Sequence, residues 1–333
     1  MKRSGGAYAD PTSRGGSRVI TTRRWRLLWG AATIAALALG APAEAASIPV
    51  ASTGAASQVG YGSAVLAGSL NPNGSDTSYY FQYGPTTAYG GQTTIAGAGA
   101  GTHTVHVALP VTGLQPLTPY HYRLVAVNHA GAAIGRDRTF LTAKVPLSLA
   151  ILASPNPIPY GGTVIVHGTL SGTENGNREV VLQANQFPFS AGFQNLGNPE
   201  LTIASGSFSF PILGLALATQ FRVVTTTNPP VISPVAVETV AVQVNSHVGR
   251  ARRRHFARIY GTVTPAEDGM GVSIVRITRG RGVLVGSAVL HHRDATSSSF
   301  SRVVPVRAGV YRVLVNVTSG AQASNYGPPM LIR

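Results

Sequence analysis

Apolar residues along this 333-residue chain fall at every second position in short runs, broken by Gly, Pro, Asn and Ser. From Pro119 to Asn128 the pattern places Tyr120, Tyr122, Leu124 and Ala126 on one face of a strand, because successive side chains point to opposite sides. Tyr79, Phe81 and Tyr83 alternate in the same way and leave Tyr80 outward. Val235, Val237, Val240, Val242 and Val244 read as one final strand of a middle module, with a slip near Thr239 restoring the alternation. Beyond residue 45 no apolar stretch of helical length repeats at 3.6 residues, so the pattern predicts an all-β chain.

Two short phrases recur three times within that pattern. The first is Gly-[Ser/Thr]-[Leu/Val]: Gly68-Ser69-Leu70, Gly168-Thr169-Leu170 and Gly261-Thr262-Val263. The second is aromatic-Arg-aliphatic-aliphatic, beginning at Tyr122, Phe221 and Tyr311. Within each copy the phrases lie 54, 53 and 50 residues apart, and the first recurs after 100 and then 93 residues. That period is the size of one immunoglobulin-like sandwich. Three tandem β-sandwiches are therefore expected, over 57–143, 144–246 and 247–333, with 46–56 as a linker.

Leu114-Gln115-Pro116-Leu117-Thr118-Pro119-Tyr120 leads into the clearest strand, and its two prolines mark the entering turn. The stretch resembles the fibronectin type III family, which carries Leu-x-Pro-x-Thr-x-Tyr at this corner; Leu114, Pro116, Thr118 and Tyr120 match. Asn71-Pro72-Asn73-Gly74, Tyr80-Phe81-Gln82-Tyr83-Gly84 and Asp137-Arg138-Thr139-Phe140 fit the bacterial version of that family. The resemblance implies a tyrosine corner around Tyr120 and Leu114, with the Tyr120 hydroxyl bonding backbone a few residues upstream. Ala64-Val65-Leu66-Ala67-Gly68 stands where animal versions carry a core Trp, and no Arg-Gly-Asp tripeptide occurs, so integrin adhesion is not carried over. The second and third stretches are similar to bacterial immunoglobulin-like repeats of cell-surface proteins. The resemblance thus implies a bacterial secreted protein with one fibronectin type III-like module and two immunoglobulin-like ones.

Arg23-Arg24-Trp25-Arg26, the apolar run to Leu39 and Ala43-Glu44-Ala45 read as a secretory signal peptide over 1–45. The run is shorter than the ~20 residues that a membrane span requires. Thr22 to Leu27 resembles a twin-arginine signal except at Arg26. No second apolar span follows, so the expected location is extracellular or non-covalently cell-surface associated.

Cysteine is absent, which excludes thiol nucleophiles, Cys-ligated zinc and iron–sulfur clusters. The net charge of +15 is unevenly placed: from 250 to 333 thirteen Arg face only Glu267, Asp268 and Asp294. Arg250-Ala251-Arg252-Arg253-Arg254-His255 is expected to be a solvated linker between the second and third modules, as charge runs usually are. Alternatively it forms a patch with Arg276, Arg279 and Arg281 that docks onto an anionic partner by counterion release. Anionic wall polymer or polysaccharide is then expected over nucleic acid.

The remaining candidates argue against chemistry. His291 and His292 on one strand would point to opposite faces, and a solvated turn is expected there; His103 and His106 fare no better as ligands. Glu267-Asp268 sits in the turn sequence Pro265-Ala266-Glu267-Asp268-Gly269, and no G-x-S-x-G elbow or phosphate-binding glycine pattern appears. No catalytic, cofactor or metal residue is therefore expected. Phe187, Phe189 and Phe193, in a Pro/Gly-broken stretch, could form an apolar rim, but large apolar side chains are mostly buried and core use is expected. The sequence points to an exported, non-catalytic spacer, display or adhesion protein, or to a binder of anionic polymer through its basic third module.

Overall fold

The computed structural model describes residues 47–333, so the expected signal peptide lies outside the described residues. These residues are all-β, with no helix among them, and fold as three tandem sandwiches of the fibronectin type III and immunoglobulin-like kind.

The first sandwich holds β1 (Val50–Thr53), β2 (Ser63–Asn71), β3 (Thr77–Gly84), β4 (Gly91–Gln92), β5 (Ala96–Gly99), β6 (Val105–Thr112), β7 (Pro119–Asn128), β8 (Gly131–Ile134) and β9 (Arg138–Leu141). One sheet runs β1–β2–β6; the other pairs β3 with β7, edged by β4, β5, β8 and β9. Leu66, Phe81, Tyr122 and Leu124 are fully buried between them. β1 lies in the stretch expected as a linker; its pairing with β2 makes it structural. Its Thr53 hydroxyl accepts the Leu124 N–H of the opposite sheet at 3.1 Å, joining both layers.

The second holds β10 (Ser148–Ser154), β11 (Ile158–Pro159), β12 (Gly162–Ser171), β13 (Glu179–Gln186), β14 (Gln194–Asn195), β15 (Glu200–Leu201), β16 (Ser207–Leu215), β17 (Thr219–Thr225), β18 (Ala236–Glu238) and β19 (Val240–Ala241). β10–β12–β16 packs on β13–β17–β18, while β11 pairs parallel with β19. The third holds β20 (Gln243–Arg250), β21 (Phe256–Thr264), β22 (Gly271–Thr278), β23 (Arg281–Val289), β24 (His291–Asp294), β25 (Ser297–Pro305), β26 (Gly309–Asn316), β27 (Asn325–Tyr326) and β28 (Met330–Ile332). Here β20–β21–β25–β24 faces β23–β22–β26, with β27 and β28 on β26. Val242 and Val244 pack in this third core with Ile259 and Val313, not in the second module as the alternation suggested. Only Val242 separates β19 from β20, so no linker stands between the two sandwiches.

The two repeated phrases have physical causes. Gly68, Gly168 and Gly261 each sit on the second strand of a sandwich, where the first strand and a core side chain press on the same position. A Cβ on Gly68 would lie 2.8 Å from the Ser52 carbonyl oxygen and 2.9 Å from Leu124 Cδ2. At Gly168 the same atom would meet the Ala150 carbonyl and Phe208 Cζ, and at Gly261 the Asn245 carbonyl and Phe300 Cζ. Phe208 and Phe300 lie directly across from their glycines, covering the missing side chains.

The second phrase alternates an inward ring with an outward guanidinium. Tyr122, Phe221 and Tyr311 are buried to within 1%. Arg123 and Arg222 each donate from Nε to a glutamine of the adjacent strand, Gln82 and Gln183, at 2.8 Å; Arg312 donates to the Gly327 carbonyl at 3.0 Å. Each guanidinium also lies over an edge aromatic, 4.5 Å from Tyr89, 4.2 Å from Phe193 and 4.8 Å from Tyr326. These arginines brace edge segments onto the sheet.

Phe193 therefore serves a brace rather than the core where it was expected. Phe187 and Phe189, also half-buried, meet edge to face, and Phe187 lies against Gly320 of the third module. There the 317–324 segment fastens the two modules. Ala218 N–H donates to Ala321 O at 2.8 Å, Ala323 N–H to Val240 O at 2.7 Å, and Val242 N–H to Ala323 O at 3.1 Å. Gln322 Nε2 adds a bond to Ala216 O at 3.0 Å. The connection between the first two modules is held on both sides: Ala143 N–H donates to Gly60 O at 3.0 Å in the first, while in the second Val145 and Thr173 exchange two hydrogen bonds and Lys144 pairs with Glu174 at 2.6 Å.

Replacing Gly168 by Ala is expected to destabilise the second sandwich by about 2 kcal/mol, the usual scale for overpacking. Gly97→Ala, whose added methyl group meets nothing within 4 Å, should be near neutral. Urea denaturation of the two variants checks the difference.

Candidate functional site

Arginine in the third sandwich concentrates at one end. Phe256 lies opposite Pro305, Arg250 opposite Ala257 and Ile277 opposite Val310. The turns β20–β21, β22–β23 and β25–β26 therefore close at one end. Arg250, Arg252, Arg253, Arg254, Arg279 and Arg281 gather there from two separate stretches of sequence. The Arg250–His255 run is thus the turn of a hairpin inside the third module and not an inter-module linker, a correction that long-range pairing alone could supply. All three acids of the module sit elsewhere: Glu267 and Asp268 between β21 and β22, and Asp294 at the end of β24. Among the described residues no carboxylate side chain belongs to the basic end.

Two shallow concavities open at that end. One, of about 540 Å³, is lined by His255, Arg276 and Arg307; the other, of about 440 Å³, by Arg250, His255, Arg307 and Arg333. Arg307 lines both and was not singled out from sequence. Its place is fixed by Tyr311, whose hydroxyl donates to the Arg307 carbonyl at 3.0 Å and accepts the Arg307 N–H at 2.9 Å. This mirrors Tyr120 in the first module, which accepts the Gln115 N–H at 3.0 Å beside buried Leu114. The repeated phrase gave no signal of this second corner, because it aligns Tyr311 with Tyr122, whose hydroxyl donates to the Gly54 carbonyl instead.

The basic side chains are not equally free. Arg276 donates to the Ala308 carbonyl at 2.8 Å, and its buried Nε finds no partner among the described residues, so it holds the β25–β26 turn. Arg253 rests 5.2 Å from the Phe256 ring centre. Arg279 and Gly280 both have positive φ, +48° and +78°, and make the tight β22–β23 turn. Arg252, Arg253 and Arg254 are exposed.

At the opposite end His291 and His292 form part of an edge strand, not the turn expected. His292 pairs with Asp268 at 3.1 Å, and Asp268 also accepts from Ser298. Backbone and side-chain donors of Thr296 and Ser297 hold the Asp294 carboxyl down at about 2. Among the described residues no three His, Asp or Glu side chains come together as a metal-holding group. The outer face of β20–β21–β25–β24 carries a further trough of about 550 Å³ around Tyr260.

No family model matches this chain, and no curated protein matches it. Among solved structures it is similar to the FN1–FN3 domains of chicken CNTN1, at 14% identity over 86% of this chain and 99% of that one, with a TM-score of 0.28. It is similar too to a tetra-tandem repeat in the extending region of a large adhesion protein, at 15% identity over 86% of this chain and 74% of that one (TM-score 0.28). A run of titin domains matches at 13% identity over 85% of this chain and 98% of that one (TM-score 0.37). At such identities and scores neither an activity nor a partner passes from those proteins to this chain.

One titratable group in the second module is out of place for a passive core. Glu238 is 0% exposed and, among the described residues, neither carboxylate oxygen has a hydrogen-bond partner. Burial pushes its carboxyl up to about 7, and the nearby Ile158 amide, committed to the Thr239 carbonyl at 3.0 Å, offsets little of that. Below the unfolded value of 4.5 the group is neutral in both states and stability is complete. Between 4.5 and about 7 the unfolded chain releases a proton that the folded chain retains, so stability falls as pH rises. The loss should reach about 3 kcal/mol above pH 7. Hydrogen exchange at Leu182 and Val223 should show that decline, and Glu238→Gln should flatten it.

Proposed function

We propose that this chain is an exported, non-catalytic spacer or display protein of the cell surface or its surroundings. The observation that carries this reading is the join between the second and third modules, where one residue and a set of backbone hydrogen bonds replace a linker. Sandwiches joined in that way transmit a fixed orientation, which suits holding something at a distance. Among the described residues the side-chain chemistry does not favour turnover: the buried carboxyls Glu238 and Glu267 stand apart in different modules, and Asp268 and Asp294 are bound to Ser, Thr and His neighbours.

Sorting of charge favours a second role on the same scaffold, contact with an anionic wall polymer or polysaccharide. The basic end of the third module lies away from the 317–324 segment that meets the second module, so it is free to touch a polyanion while its acids stay at the far end. Attraction there is long-range and salt-sensitive.

Retention of the protein on immobilised polygalacturonate should fall steeply with added salt. Arg252→Ser, Arg253→Ser and Arg254→Ser together should weaken it by about a hundredfold, at roughly 1 kcal/mol for each cation near an anionic surface. Retention that ignores salt, or that the triple replacement leaves unchanged, removes the basic end from polymer binding and leaves the spacer.

A further inference from the structure

The trough on the outer face of β20–β21–β25–β24 lies apart from the basic end and has its own chemistry. Register lays its floor out in rows. Asn245, Thr262, Ser299 and His291 stand side by side across the four strands, and His247, Tyr260 and Ser301 form the next row. Neighbours in a row are about 5 Å apart and the rows about 7 Å apart. Amide, hydroxyl and neutral imidazole groups of the first row each both donate and accept.

Tyr260 supplies a different element. A Cβ on Gly249 would lie 3.2 Å from the Tyr260 ring, so glycine at that neighbouring position lets the ring lean along the sheet. The ring remains 37% exposed. His247 sits 5.7 Å from it, and the Arg258 guanidinium lies over the ring, 5.0 Å from its centre, leaving the ring edge open to the trough. Arg258 is steadied by Nε donating to Ser301 Oγ at 2.8 Å, a bond that does not engage its terminal nitrogens. The other cation, Arg293, lies 3.8 Å from Asp294 and is partly neutralised, while Asp268 is engaged by His292. Positive potential in the trough therefore concentrates at Arg258.

Three ligand classes fit this surface unequally. A polyphosphate offers only acceptors and makes no use of the ring. A neutral sugar would use the ring and the hydroxyl row but leave Arg258 without a partner. An acidic sugar uses all three features: hydroxyls on the donor–acceptor row, its apolar side against the exposed Tyr260 edge and a carboxylate on Arg258. We propose that the trough binds a hexuronate residue of an acidic polysaccharide, with its carboxylate at Arg258 and its ring against Tyr260.

Titration of the protein with trigalacturonate, its methyl ester and inorganic polyphosphate, followed by NMR at His247, His291 and Tyr260, tests the site. Trigalacturonate should shift all three residues, and its methyl ester should bind at least about tenfold more weakly, the worth of one charge-assisted hydrogen bond. Tyr260→Ala and Arg258→Gln should each weaken trigalacturonate by a similar factor, with the amide spectrum showing that the sandwich stays folded. The triple replacement of Arg252, Arg253 and Arg254 should suppress polyphosphate binding yet leave the trigalacturonate shifts at His247 and His291 in place. Equal affinity for acid and ester, full binding by either variant, or shifts confined to the basic end would each overturn the proposal. So would the absence of any shift with trigalacturonate, whatever polyphosphate does at the basic end.

Discussion

Each sandwich depends on one crowded crossing. The first strand runs so close to the second that its carbonyl, Ser52, Ala150 or Asn245, leaves no room for a side chain at Gly68, Gly168 or Gly261. From the core side Leu124, Phe208 or Phe300 fills the gap. A methyl group there would force the first strand outward, and with it the layer that the strand closes. In the first module that layer also carries Thr53 and Gly54, which accept hydrogen bonds from Leu124 and Tyr122 of the opposite sheet. In the first module, glycine at the crossing thus keeps the first strand close enough to bond to the opposite sheet.

On the opposite face, the arginine of the second phrase performs a complementary task. Arg123, Arg222 and Arg312 pin an edge aromatic against the sheet. With crossing and brace both supplied by the repeat, the surface is free to vary. The first two modules keep charge in balance, whereas the third gathers most of its arginines at one end, away from its three acids.

Much of this was legible in the chain. Alternation located the strands around Tyr120 and Phe81, and the spacing of the two phrases implied three copies of a sandwich. Alternation could not say which core Val240, Val242 and Val244 face, because an unbroken period of two reads the same on either side of a module boundary. That choice is made by partners far away in sequence: Ile158 takes Val240, and Thr264 takes Gln243. The arginine run was ambiguous for the same reason, since a solvated turn and a solvated linker share one composition. Phe187 and Phe193 looked like core because their uses, a neighbouring module and an arginine brace, are tertiary. Tyr260 gave no signal either, as its posture depends on Gly249 in the next strand.

The third module can present its basic end and its trough in a defined direction only if the second module holds it there. The chain has no cysteine, so spin labels can be placed without background at Ser209→Cys and Val289→Cys, one exposed position on each module. Pulsed electron resonance between them should give a single narrow distance distribution, no wider than the labels themselves allow. A broad or multiply peaked distribution, such as a flexible linker produces, would contradict the rigid join on which the account rests.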